Sequence, residues 1–180
     1  MMSFFPLYVK QNFGEDKIST SMVSVCMTSF ELAGILTSRG NASMISKMGR
    51  KNSLIIGFII IFLSTMSLGM ISLIETTEWR TFYFAAMASR FAQGCGDGLV
   101  ITTCFSLIGS NFSEEKTKYY GMIEAALGFG LVIGPPVGSF LYGYFGYAWT
   151  FYSISVLMGI NIILCLFLLP NKLNKNRTAR

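Results

Sequence analysis

The stretch GMIEAALGFGLVIGPPVGSFLYG, residues 121–143, carries a single charged side chain, Glu124. A helix needs about 20 predominantly apolar residues to cross the hydrocarbon core of a bilayer, so this stretch reads as a transmembrane span. Gly130, Gly134 and Gly138 recur at four-residue spacing. They share one helix face and leave a bare stripe against which a second helix can pack closely. Pro135 and Pro136 lie within the stripe and remove two backbone donors, which bends a helix. The expectation is a bent, glycine-faced span able to serve as a pivot or seal between two helix groups.

The rest of the chain has the same character. Apolar residues make up 52% of the 180 and charged residues 13%, with 18 glycines besides, whereas soluble domains average roughly 25% charged residues. A soluble domain of this length could not hide so much apolar surface. Further apolar blocks run over residues 18–38, 53–74, 81–108 and 148–169. The first nine residues, MMSFFPLYV, are apolar too, but nine residues of helix cover only about 14 Å. They show neither the basic start nor the small-residue cleavage site of a signal peptide and read as the end of a truncated first helix. The expected fold is all-α and integral to the membrane, with five complete transmembrane helices plus a partial first one. The bundle would occupy residues 10–170 and a basic tail residues 171–180.

Orientation follows from lysine and arginine. Arg39, Lys47, Arg50 and Lys51 lie between the second and third spans, Lys116 and Lys118 between the fourth and fifth, and Lys172, Lys175, Arg177 and Arg180 in the tail; only Lys10, Lys17 and Arg80 lie on the opposite side. The richly basic side is expected to be cytosolic. The net charge of +5 is then a topology signal and not a nucleic-acid footprint. The sequons at Asn41, Asn111 and Asn176 fall on that cytosolic side and are expected to remain unglycosylated. The choice between plasma and vesicular membranes stays open.

The chain has no histidine, and its four cysteines, Cys26, Cys95, Cys104 and Cys165, form no C-x-x-C. His-dependent catalytic relays and the usual zinc ligand sets are therefore excluded; no metal, cofactor or enzymatic site is expected. What remains is charge inside apolar spans: Glu31, Arg90, Asp97 and Glu124. An Asp or Arg at a span centre costs about 3 kcal/mol to insert, and such residues face a bundle interior or wet cavity and are functional by default. Arg90 and Asp97 are two turns apart on one face, with Gly94 between them. The alternate glycines of RFAQGCGDG, residues 90–98, lack the preceding strand of a dinucleotide loop. Gly94 and Gly96 are expected to serve close helix packing. Glu124 sits within a turn of its span's cytosolic end, placed either to snorkel or to titrate. The tight basic loop Ser46–Lys51 has Gly49 where a turn needs conformational freedom.

Three motifs in fixed order resemble the major facilitator superfamily of secondary transporters. Met44, Lys47, Gly49, Arg50 and Lys51, with Leu54 following, match its loop signature G-x-L-x-D-R-x-G-R-[RK], with Ala42 and Ser46 departing from the usual Gly and Asp. Arg90, Gln93, Gly94 and Gly96 match R-x-x-Q-G-x-G, whose arginine the resemblance implicates in proton coupling. Residues 128–138, GFGLVIGPPVG, resemble the signature of proton-driven antiporters. Together with Phe145-Gly146-Tyr147, this region is similar to the vesicular amine and polyamine branch and to drug-exporting antiporters. The resemblance implies the N-terminal half of a twelve-helix fold, minus most of its first helix, with a substrate site between two halves near the midplane.

On this reading the chain is half of a proton-coupled antiporter for an organic cation or amine, embedded in the lipid bilayer. Asp97 is the first candidate to exchange a proton for substrate, with Arg90 tuning its ionisation; Glu31 and Glu124 are second candidates. A second six-helix half or a second copy of the chain would supply the opposing wall. The alternative is a non-transporting membrane protein, a truncated product or a partner subunit pairing through the Gly130/Gly134/Gly138 stripe.

Overall fold

The computed structural model describes residues 4–73, 78–112 and 114–174. Helices and short 3₁₀ turns are the secondary structure among these residues: α1 (Phe4–Lys17), α2 (Thr20–Met48), α3 (Arg50–Met70) with a 3₁₀ turn at Ile71–Leu73, α4 (Trp79–Asn111) and α5 (Lys116–Leu168), followed by a 3₁₀ turn at Asn171–Asn174. Four of these helical stretches, led by α2, α3, α4 and α5, are long and apolar enough to cross a membrane.

The boundaries differ from those expected in three places, each for a local reason. The segment 39–48, expected as part of a connection, continues α2. No proline interrupts it, and Asn41 and Ile45 are buried, so its polar appearance hides a face that packs. The helix starts on Ser19, whose hydroxyl accepts from the Met22 N–H at 3.4 Å, a standard N-cap. It stops only at Gly49, whose φ of 84° lies in the left-handed region open to glycine. The Gly49 N–H donates to the Ile45 carbonyl, and α3 begins at the next residue. The expected six-residue loop is thus a one-residue break.

The second difference is in α5. Its helical dihedrals persist through Pro135 and Pro136 and fail at Gly146, where φ is 75°. Three contacts show what that break does. Tyr120 reaches the Phe105 carbonyl, Arg50 bonds Ser106 at 3.1 Å, and Lys51, next to Arg50, bonds the Leu166 carbonyl at 2.9 Å. Residues 120 and 166 therefore lie at the same end of the bundle, whereas a straight helix would hold them about 70 Å apart. The chain folds back at Gly146, giving a first arm (116–145) and a second arm (147–168).

Third, the apolar stub at residues 1–9 is not a separate unit: α1 runs across residue 9 to Lys17, with a break at Gly14. Residues 1–3, the end of the expected third span at Ile74, and the tail residues 175–180, including the Asn176 sequon, lie outside the described residues.

The core at the α1 end is aromatic. Phe5, Val9 and Phe13 of α1 are buried against Phe82 of α4 and Tyr147 and Phe151 of α5; Tyr8 stacks on Tyr147 at 3.9 Å between ring centroids and Phe13 on Phe82 at 4.5 Å. Offset aromatic pairs at such spacings add about 1 kcal/mol each beyond their area. Tyr142 adds a hydrogen bond to Gln11 at 2.9 Å.

Candidate transport site

Helix α4 is held on two sides by its own glycines. A Cβ on Gly94 would collide with the Phe30 carbonyl of α2, and one on Gly98 would lie 3.3 Å from the Gly34 Cα. On the α3 side, a Cβ on Gly96 would come within 2.8 Å of the Gly57 carbonyl. At these positions the backbones of α2, α3 and α4 approach as only glycine permits. Asn41 is buried beside Gly98, its amide donating to the Thr37 carbonyl and accepting from the Leu99 N–H, both at 3.2 Å.

Asp97 lies three residues beyond Gly94, next to the α2 crossing, and is half-buried. Glu31, exposed on α2 one residue past Phe30, is the charged side chain that acts on it through space. Neither carboxylate has an ion pair or hydrogen bond among the described residues. Asp97 and Arg90 are not paired with each other. Seven residues along a helix is about 10 Å, and the Arg90 side chain is directed elsewhere: its Nη1 donates to Gln93 Oε1 at 2.8 Å, and Gln93 Nε2 donates to Thr65 Oγ1 of α3 at 3.1 Å. Arg90 is only 2% exposed and lies 5.9 Å from the ring centroids of both Phe5 and Phe151. Tyr147 and Cys26 are the titratable groups that act on it. The two charges in the middle of α4 therefore serve different surroundings, Asp97 the α2 crossing and Arg90 the aromatic cluster.

The remaining expected residues are dispersed. Glu124 is exposed on the first arm of α5, away from any ion pair among the described residues. Gly134 is half-buried and Gly138 buried, whereas Gly130 is open, with nothing within 4 Å of an added Cβ. Lys47 is exposed, Arg50 ties α3 to α4 through Ser106, and Lys51 is buried with its ammonium on the Leu166 carbonyl and on Asn171 Oδ1, both at 2.9 Å. That ammonium caps the C-terminal end of α5, where a cation opposes the helix dipole. Sequence reasoning missed this cap, and also the Arg90–Gln93–Thr65 relay. A threonine in the apolar block 53–74 was the available signal for the relay; nothing local announced the cap.

Between α2 and α4 runs a groove of about 860 Å³, lined by Ser24, Thr28 and Leu32 on one side and Phe84, Met87 and Phe91 on the other. Its size suits a small organic molecule. Its walls are mostly apolar, because the Ser24 and Thr28 hydroxyls are bonded to the carbonyls of Thr20 and Ser24.

The sequence model of the Major Facilitator Superfamily matches residues 1–180. The MFS-type transporter SLC18B1 of Mus musculus is 28% identical over 168 residues, covering 93% of this chain and 35% of the relative. Multidrug resistance protein 2 of Bacillus subtilis (strain 168) is 26% identical, covering 87% of this chain and 37% of the relative. The vesicular acetylcholine transporter of Tetronarce californica is 26% identical, covering 86% and 29%. The chain thus spans about a third of the length of the curated relatives it matches. With a match over its whole length and several helices able to span a bilayer, this chain is a multi-pass membrane protein and belongs to the Major Facilitator Superfamily, a family of membrane transporters rather than enzymes.

Proposed function

We propose that the chain forms one half of a proton-coupled antiporter for an organic cation or amine, made of five complete spans and the outer part of a first, with its basic end in the cytosol. Alternating access would rock this half against a second six-helix half, or a second copy, around a midplane site. Asp97 exchanges a proton for the cationic substrate, with Glu31 and Glu124 as second candidates for that role. The observation that carries this reading is the Asp97 carboxylate itself. It is half-buried in an apolar helix with no cation paired to it among the described residues, and an intramembrane carboxylate in that state is costly unless it takes up a proton or a cation. Among the described residues the charged group that acts on it is another carboxylate, Glu31, so no fixed ion pair holds it.

The test is pH-gradient-driven uptake of a fluorescent organic cation into membrane vesicles carrying the protein. Asp97→Asn is expected to abolish gradient-driven uptake while the protein remains in the membrane; undiminished uptake would remove Asp97 from the mechanism.

A second reading has its own observation. The first arm of α5 exposes Phe129, Leu131 and Val132 beside the open Gly130, a face suited to a non-transporting subunit that pairs with another membrane protein. Crosslinking in the native membrane separates the two readings: a complex that contains the chain but takes up no cation under a gradient favours the second.

A further inference from the structure

The guanidinium of Arg90 presents a geometric feature that transport by Asp97 leaves unused. Of its three nitrogens, Nη1 is spoken for by Gln93, while Nε and Nη2 are buried with no hydrogen-bond partner. Those two are the pair whose N–H bonds run parallel along one edge of the planar group, the fork that binds anions through two donors at once. The edge is not a solvated surface group, since Arg90 is 2% exposed. No carboxylate balances it among the described residues. Two phenyl rings, Phe5 from α1 and Phe151 from α5, stand 5.9 Å from the guanidinium carbon. They moderate the positive charge through their π faces but offer the fork no acceptor. A buried cation with two unmet donors is among the costliest arrangements in a membrane protein, and such a group calls for a bound water or ion. Water would satisfy the donors and leave the charge; a small anion satisfies both.

We infer that the free Nε–Nη2 edge of Arg90 is a binding site for a small monovalent anion, chloride in the cell. The anion would complete the junction at which α1, α4 and α5 meet. It would thereby tie the docking of α1 to anion occupancy, because Phe5 and the fork share one guanidinium.

The full chain, purified in detergent micelles, provides the test. Its melting is followed through Trp79 and Trp149 fluorescence while chloride, bromide or formate replaces gluconate at constant ionic strength. Chloride and bromide are expected to raise the melting temperature saturably. Arg90→Lys keeps the charge but loses the parallel donors, and is expected to weaken the halide midpoint at least tenfold; Arg39→Gln, at an exposed position, is expected to leave it unchanged. Absence of a halide response in the wild type, or an undiminished response in Arg90→Lys, would overturn the inference. So would stabilisation by formate alone, which would assign the edge to a carboxylate. A reading independent of any variant comes from the wild-type chain labelled with [¹⁵N]arginine: the slowly exchanging Nε–H signal of the buried arginine should move when bromide replaces gluconate, and an unmoved signal overturns the site.

Discussion

Helix α4 and the first arm of α5 carry the same small-residue signal and meet opposite fates. In α4 each glycine of the motif is filled by a neighbour's backbone: Gly94 by the Phe30 carbonyl, Gly96 by the Gly57 carbonyl. In the first arm of α5, Gly128 and Gly130 face open space, and Leu131 and Val132 are 77% and 74% exposed. Glycine spacing thus specifies a face prepared for close approach, but not whether the partner belongs to the same stretch of chain. α4 has its partners within 75 residues on its N-terminal side, in α2 and α3, whereas the stripe on α5 is open at Gly130 and covered only towards Gly134 and Gly138. Adding one methyl group along each face turns this contrast into a graded series, readable as unfolding of the chain in mixed micelles.

The largest effect is expected at Gly94→Ala. The new Cβ meets the carbonyl and carbonyl carbon of Phe30, main-chain atoms that cannot rotate away, so α2 and α4 must separate. Alanine would otherwise gain about 1 kcal/mol of helix propensity over glycine; the overlap is expected to exceed that and give a net loss of about 3 kcal/mol. Gly96→Ala comes next, at about 2 kcal/mol, because only one main-chain atom, the Gly57 carbonyl oxygen at 2.8 Å, crowds the added Cβ, the next contact being the Ile61 side chain at 3.0 Å. If both substitutions were silent, α4 would be no more tightly held than α5, and the contrast would collapse.

Gly69→Ala probes the boundary between the two regimes. Its nearest neighbour is not backbone but the Tyr152 ring, at 2.7 Å, and a half-buried ring can tilt. Helix propensity and displacement should then nearly cancel, for a net cost of about 0.5 kcal/mol. A loss as large as that at Gly94 would mean that the second arm of α5 is pinned against α3 as rigidly as α2 is against α4.

Much of this was legible in the sequence, and the misses have physical causes. Membrane residence followed from apolar blocks because lipid demands continuous apolar length. The turn at Gly49 was readable because positive φ selects glycine, though not that it shrinks to one residue. The helical stretch 39–48 was not, since Arg39, Asn41, Ser43 and Ser46 look like a loop when the face that buries Asn41 and Ile45 is unknown. The gap between the apolar blocks 121–143 and 148–169 holds the break in helical dihedrals, at Gly146, whereas the bend expected at Pro135 and Pro136 leaves the helical dihedrals intact. At the candidate site, sequence spacing put Arg90 and Asp97 on one helical face, yet spacing carries no information about side-chain direction. Gln93 and Thr65 draw the guanidinium toward α3, and Asp97 is left to Glu31.

Gly130→Ala should have the smallest effect, and its sign is its value. Among the described residues no atom beyond its own turn of helix lies within 4 Å of the added methyl, so no packed neighbour opposes the substitution. The helix gains the difference between glycine and alanine, and the isolated chain is expected to become more stable by about 0.5 kcal/mol. If the open face docks against another helix in the membrane, the same methyl should hold that helix away and weaken association. Stability of the chain and recovery of its crosslinked complex are therefore expected to move in opposite directions. A substitution that lowered both would mean that Gly130 already has a partner within the chain; one that raised stability and left the complex intact would mean that association uses a different face. Only the opposed pair of changes keeps the distinction between a glycine face filled by its own chain and one held open for another.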